Sequence, residues 1–594
     1  GLAVVATTFT IVAVFAPVGF MPGIIGQFFK AFALAACVSV LFSLVVARLL
    51  TPLMGAYLLK ADSKHEDKDP PWMGPYLKTL NWGLRNRWKV LLMGIPMFAF
   101  SIFLATRLPF EFQPQSDRGR SEFSVELPPG ATLDETDAIV QRVTKELLAR
   151  KEVVSVYASV GSNNAVNKAD ITADLTDKGE RISQKAFSRQ MVDQFAQIPG
   201  VRIGAGGNNG GGPSNGGSYT LSLLSDNGPA LEAAARKIEA EMRGVPGLAH
   251  VVNTASIARP EIVVTPKPDQ AARAGVTAGA ISQAVRVATI GDIDQNLPKY
   301  NLGDRQVPIR LRLNDDARGD IAVLQTLQVP SANGPVPLNA VADVRFGAGP
   351  SQIERQDRSR VATITAELDG IVVGEAAKRV HALPSVKNLP PGVKETPAGD
   401  AEFIQEMVTG FVGALVTGIL LMYVVLVLLF RSFAHPITIM VALPLAIGGA
   451  FGLLVIAKSS FSISTLIGIL MLMGIAAKNS ILLVEYAIMA MKEHGMDKRT
   501  AIMDAAHKRA RPILMTTVAM GAGMLPTAIG LGAEVEFRAP MAIAVIGGLI
   551  TSTLLSLLYI PVVFILMDGL RTRSERMMHR LFGHQHRAAP KVVE

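Results

Sequence analysis

Two hydrophobic rhythms divide this chain. Eight stretches, at about 2–20, 29–57, 89–106, 405–430, 436–457, 461–491, 512–531 and 539–567, are apolar on every face over roughly the 20 residues a bilayer core demands of a helix. The long segment between the third and fourth, 107–403, alternates instead. SEFSVELP (121–128) has the period of a half-buried strand, Thr132 to Leu148 has helical spacing behind a Thr-x-x-Glu capping box, and VVSVYASV (153–160) is strand-like again. The order recurs in ITADLTD, Ile182 to Phe195 and VRIGAG, and once more in YTLSLLS, Ala230 to Met242 and AHVVNTAS. These βαβ-type units predict α+β layers whose helices cover one sheet face. GAGGNNGGGPSNGG (204–217) buries too little to fold alone and reads as a connector; a phosphate-cradling loop would need a Gly-Lys-Ser/Thr and a strand-to-helix setting that it lacks. From Gly291 the pattern changes to short strands and turns, and RVATITAEL with a helix at 374–383 leads back to the membrane. The predicted fold is an α-helical multispanning membrane domain of eight spans with a large extramembrane α+β domain of repeated βαβ-type units.

Composition agrees. With 594 residues, 49% of them hydrophobic and only 18% charged, the chain is too apolar for a pair of ordinary soluble domains. A formal charge of +9 would point to nucleic acid in a soluble protein, but here the excess flanks the apolar runs, so topology explains it and no nucleic-acid partner is implied. Lys60, Lys64, Lys68, Lys78, Arg85, Arg87 and Lys89 follow the second span. Lys492, Lys498, Arg499, Lys508, Arg509 and Arg511 follow the sixth, and Arg571, Arg573, Arg576 and Arg580 follow the eighth. All three groups fall on one side if the spans alternate, which makes that side cytoplasmic and puts 107–403 across the membrane. Between Pro71 and Lys89, tryptophans and leucines interleave with Lys and Arg, as in an amphipathic helix lying on the cytoplasmic face of the lipid bilayer. The single cysteine, Cys37, excludes a disulfide or a cysteine metal site within the chain, and no cofactor motif is present. Gly1-Leu2 opens inside an apolar run without an initiating Met, as expected of a fragment whose first part is missing.

Lys478 stands in the middle of the run FSISTLIGILMLMGIAAKNSILLVEYAIMAM (461–491). A charge at that depth costs roughly 3 kcal/mol on insertion scales, and neither end of the run is close enough for the side chain to snorkel out. The other strong ionisable group of the run, Glu485, shares its face but sits roughly 10 Å along the axis, too far for a direct pair. The counter-charge is expected from another helix.

GIAAKNSILLVEYA (474–487), RARPILMTTVAMGAGMLP (509–526) and FQPQSDRGRSEFSVELPPGATLDET (112–136) resemble the second half of a resistance-nodulation-division (RND) transporter, of the hydrophobe/amphiphile efflux type. The resemblance covers essentially the whole chain. It implies the last two spans of a first half (1–60), a cytoplasmic linker (61–88), a transmembrane helix (89–109), periplasmic porter subdomains (110–290 and 346–403), a docking region (291–345), five further helices (404–568) and a basic cytoplasmic tail (569–594). It also implies proton-driven efflux of small molecules from a Gram-negative inner membrane, a homotrimer, a periplasmic membrane-fusion adaptor, an outer-membrane channel and no cofactor. By motif position the proton relay falls on Lys478, Asn479, Arg509 and Thr516, with Glu485 as a candidate proton exit. An aspartate pair facing Lys478 would lie in the missing first half. The aromatic position of the substrate pocket falls on Tyr157, but the loop after it, GSNNAVNKA, puts Ser162 and Asn164 where such pumps carry phenylalanine. A smaller or more polar substrate range is expected, since ring stacking is lost.

Rival functions fit less well. Metal export needs soft ligands, and 107–403 offers only Met191, Met242, His250 and His381, without ligand-like spacing. Protein-export relatives have smaller trans-side domains. For an enzyme, Asp134, Glu135 and Asp137 are clustered acids, but they occupy a helix first turn where charge complements the dipole, and Asp315, Asp316 and Asp320 read as a turn.

Overall fold

The computed structural model describes residues 2–58, 69–114, 116–161, 165–206, 217–254, 258–292, 295–314, 317–318, 320–332, 334–350, 353–532 and 534–582. It opens with two apolar helices, α1 (Leu2–Phe15) and α2 (Gly23–Val45), the second running on through a π-turn and a further helix to Leu58. Then come α3 (Met73–Arg85) and α4 (Arg87–Arg107). The single amphipathic helix expected through Lys89 is thus two helices. Asn86, at φ −105° and ψ 44°, leaves helical geometry between them. The apolar face of α3 (Met73, Leu80, Leu84) is buried against protein, and the Tyr76 hydroxyl donates to Leu557 O at 3.1 Å.

The extramembrane segment holds two sheets of one topology. The first unit runs β1 (Arg120–Glu126), α5 (Leu133–Leu148), β2 (Val153–Val160), β3 (Lys168–Leu175), α6 (Gln184–Phe195) and β4 (Arg202–Ala205). Its antiparallel strand order is β2-β3-β1-β4, the split βαβ arrangement. Alternation is the cause: Ala169, Ile171, Ala173 and Leu175 point into a core shared with Phe123, Val140, Leu147, Phe187 and Phe195. Thr132 caps α5 as its motif predicts, its hydroxyl accepting from Glu135 N while Glu135 Oε2 accepts from Thr132 N.

The second unit is split. β5 (Ser218–Ser225), α7 (Gly228–Met242) and β6 (Leu248–Asn253) precede an insert, and the unit resumes only after it. The insert runs from β7 (Ala258–Pro266) through α8 (Pro268–Ala274) and α9 (Ala278–Thr289) to β8 (Ala342–Pro350), which pairs with β7 along its whole length. It has its own core of Ala271, Val276, Ile281, Val329, Leu338 and Val344, so as a packing unit it starts well ahead of residue 291. β9 (Ser359–Leu368), α10 (Val373–His381) and β10 (Lys394–Thr396) give the second sheet the order β6-β9-β5-β10, a repeat of the first, and the short strand Glu354–Gln356 adds a fifth member by pairing with the start of β9. All three strand–helix–strand units read from the sequence are present, and in each a strand from outside the unit lies between its two strands: β3 in the first, β1 in the second and β9 in the third.

The chain then forms α11 (Asp400–Phe430), α12 (Ala434–Met440), α13 (Ala442–Ile456), α14 (Ile463–Glu493), α15 (Lys498–Ala528), α16 (Val535–Leu554) and, after a π-turn, α17 (Ile560–Phe582). Among the described residues six helical stretches are long and apolar enough to cross a membrane: Ile25–Leu58, Arg87–Arg107, Asp400–Phe430, Ala434–Ile456, Ile463–Glu493 and Val535–Arg571. Val4–Phe20 is shorter, and α15 has the length but carries a charged first half, two prolines and several glycines. Its helix starts before the expected 512, because the Asp497 side chain accepts from Arg499 N.

Candidate functional site

Helix α14 is the most enclosed of the long helices, packed by α1, α15 and α16. Small residues permit this: a Cβ on Gly468 would meet Met541 O at 2.8 Å, and one on Gly474 would meet Ile11 at 3.3 Å. Lys478 lies one turn beyond Gly474 on the same face, towards α1. It is half-buried and, among the described residues, has no hydrogen bond or ion pair. Beside it Asn479 is 1% exposed, and its Nδ2 finds no acceptor among the described residues. The next turns of α1 offer buried Thr7, Thr8 and Thr10, whose hydroxyls are spent on their own helix backbone. Neutral hydroxyls so engaged cannot balance an ammonium.

Lower on α14 the structure brings together two residues the sequence left apart. Next to the half-buried Glu485, the Arg509 guanidinium carbon lies 5.4 Å from the centre of the Tyr486 ring. Lys508 Nζ stands 5.4 Å from the same ring and donates to the Tyr486 hydroxyl at 2.8 Å and to Asp504 Oδ2 at 3.0 Å. Tyr486 in turn donates to Asp504 at 3.2 Å. Arg509 Nε is buried without a hydrogen-bond partner. Tyr486, Asp504 and Lys508 were not singled out from sequence; the Asp504/Lys508 spacing of four was the available signal.

Thr516 does not reach these groups. Its hydroxyl donates to Ile513 O at 3.0 Å, within its own helix, whereas the next residue, Thr517, makes the interhelical link to Thr553 at 2.8 Å. In the extramembrane part, Tyr157 is 71% exposed on the edge strand β2. Ser162 and Asn164 lie outside the described residues.

A polar clasp that no motif announced joins the two α/β units. Glu367 on β9 accepts from Ala205 N at the end of β4 (3.1 Å), while its other oxygen lies 3.1 Å from His250 Nδ1. Burial raises the Glu367 carboxyl above its ordinary range, and His250 works the other way. Arg189 on α6 pairs with Asp369 at 2.7 Å nearby. His250 holds a positive φ of 47°, rare for a residue with a side chain.

A bundle of apolar helices around a lysine that has no ion pair among the described residues, with twin α/β units between its spans, defines a multi-pass membrane protein. The sequence pattern of the AcrB/AcrD/AcrF family matches residues 1–568, and the chain belongs to that family of RND efflux proteins. Among its relatives is multidrug resistance protein MdtC of Cronobacter sakazakii (strain ATCC BAA-894), 30% identical over 604 residues, covering 97% of this chain and 57% of that protein. MdtC of Yersinia enterocolitica serotype O:8 / biotype 1B is 30% identical over 609 residues, with 98% and 58% covered. MdtC of Yersinia pestis is 29% identical over 602 residues, with 97% and 57% covered. The chain thus spans a little over half the length of these relatives.

Proposed function

We propose that the chain works as part of a proton-motive-force-driven exporter of small molecules, with eight membrane crossings and the twin α/β units in the periplasm. One observation carries this reading: Lys478 is half-buried in an enclosed helix with no ion pair among the described residues, next to an asparagine whose buried amide is unmet. A lysine held without a counter-charge is poised to meet carboxylates contributed from elsewhere in the protein, and such carboxylates in low dielectric bind protons with raised, coupled affinities. Lys478 and Asn479 then sense protonation, Arg509 stays charged at the cytoplasmic end with Glu485 as proton exit, and Thr516 relays through its hydroxyl once α15 shifts. The insert from β7 to β8, which takes in 291–345, acts as docking region and the flanking parts of 110–290 and 346–403 as porter, with Tyr157, Ser162 and Asn164 lining a substrate path. A homotrimer with a periplasmic adaptor and an outer-membrane channel completes the assembly.

The test is transport in vesicles by the full-length protein that carries this chain. Uptake of a fluorescent amphiphile should require an imposed proton gradient and should vanish with Lys478→Ala while assembly persists. Gradient-independent turnover, or normal transport by the variant, overturns the reading.

A further inference from the structure

All three tryptophans of the chain, Trp72, Trp82 and Trp88, fall in one stretch with Lys78, Arg85, Arg87 and Lys89, and no acidic residue occurs from Pro70 to Phe110. The structure gives that composition a shape. Helix α3 is fastened by one face, where a Cβ on Gly83 would meet Leu558 and Val562 at 3.4 and 3.7 Å. Its opposite face presents Pro75, Lys78, Trp82 and Arg85 at helical spacing, all exposed. At Asn86 the chain turns into α4, which begins with exposed Arg87, Trp88 and Lys89 and continues outward through the exposed apolar residues Leu92, Met93 and Ile95 of a membrane-spanning helix. Trp82 is 54% and Trp88 72% exposed. Lys78, Arg85, Arg87 and Lys89 have no hydrogen bond or ion pair among the described residues.

Indole rings at the end of a span mark the headgroup level of a bilayer, where an apolar ring with one polar N–H is most favourably placed. Four unneutralised cations at that level call for an anion that is itself held there. A phosphodiester headgroup meets both demands, because its charge lies at the depth of the cations and its acyl chains continue along the apolar face of α4.

We propose that the corner between α3 and α4 binds an anionic phospholipid, its phosphate among Lys78, Arg85 and Lys89 and its glycerol region against Trp82 and Trp88. The site needs only the membrane location of the chain and is independent of proton coupling.

The protein is reconstituted in vesicles in which either phosphatidylglycerol or phosphatidylcholine carries bromine on its acyl chains, and tryptophan quenching is compared at equal mole fraction. Brominated phosphatidylglycerol should quench more strongly. That preference should fall about fivefold for each cation removed in the series ending at Lys78→Gln/Arg85→Gln/Lys89→Gln, and should shrink in high salt. Quenching by the phosphatidylcholine form should rise in step as that lipid takes the vacated place, which shows that the corner stays folded; if the triple variant fails to fold, Arg85→Gln alone gives the same comparison. Equal quenching by both lipids, a preference that survives the triple variant, protection from both lipids as by a second copy covering the corner, or loss of the preference to inorganic phosphate exchanged for chloride at constant ionic strength overturns the proposal.

Discussion

Glu111 donates its backbone N–H to the carbonyl of Phe461 at 3.1 Å, and Phe461 returns its own N–H to Pro109 O at 2.8 Å. The segment that leaves α4 for the first α/β unit is thereby stitched to the segment that starts α14. Ile463 N adds a bond to Phe112 O at 3.2 Å, and Ser460 donates its hydroxyl to the Glu111 carboxylate, which burial pushes above its usual range against Ser460 and Lys185. A displacement of α14 along its axis would therefore pull on Pro109 to Phe112, the segment that leads towards β1.

Phe461→Pro removes one donor of this stitch. The expected cost in stability is about 3–5 kcal/mol, because the ring packed on Phe110 and Phe451 is lost along with the hydrogen bond, while transport per folded molecule should fall by roughly tenfold or more because the helix slides without pulling the unit. Thermal unfolding and vesicle transport on the same preparation check both. A loss of transport no larger than the loss of folded protein would count against mechanical coupling.

Asn479 gives a prediction of opposite sign. Its unmet Nδ2 costs the folded state desolvation energy, so Asn479→Leu should raise stability by about 1 kcal/mol and abolish transport. A lower melting temperature would mean that the amide is bonded in the assembled protein.

How much of this was legible in the chain depends on range. β3 and β9 were visible because alternate residues such as Ile171 and Ala173, or Ile364 and Ala366, must face a core, and α5 because Thr132 and Glu135 cap it through local bonds. Lys478 was visible because burying a charge is costly wherever it occurs. The placement of β9 between β5 and β6, across a folded insert, was not visible, since periodicity fixes a strand's face and not its neighbour. Arg509 against Tyr486 and Glu367 against Ala205 were hidden for the same reason: each joins segments whose proximity is decided by packing.

Asp117 supplies a pH dependence. Burial works to raise its carboxyl, but the Arg181 guanidinium and the amides of Gln184 and Gly119 prevail and hold it at about 2, below its ordinary 3.8. A depressed acid stabilises the fold fully above the unfolded value and loses that contribution as pH falls through the folded one. The first α/β unit should thus weaken between about pH 4 and pH 2, by on the order of 1 kcal/mol given the partial exposure of the carboxyl. Thermal unfolding across that window should show a step that Asp117→Asn removes. An unchanged step would assign it to another acid.

The clasp between the α/β units predicts cooperative opening. Arg189 and Asp369 meet at 2.7 Å on one side of the contact, and Glu367 takes the Ala205 amide on the other, so separating the first pair should release the second. Arg189→Asp places two carboxylates in contact and should speed hydrogen exchange at the Ala205 amide by tenfold or more, while exchange within β3, in the core of the same unit, stays slow. Arg142→Asp, which breaks only the local pair with Glu146 on α5, is the control and should leave Ala205 protected. Faster exchange at Ala205 in both variants would reveal general loosening of the unit. Protection retained in Arg189→Asp would show that Glu367 and His250 hold the units together without the Arg189 pair.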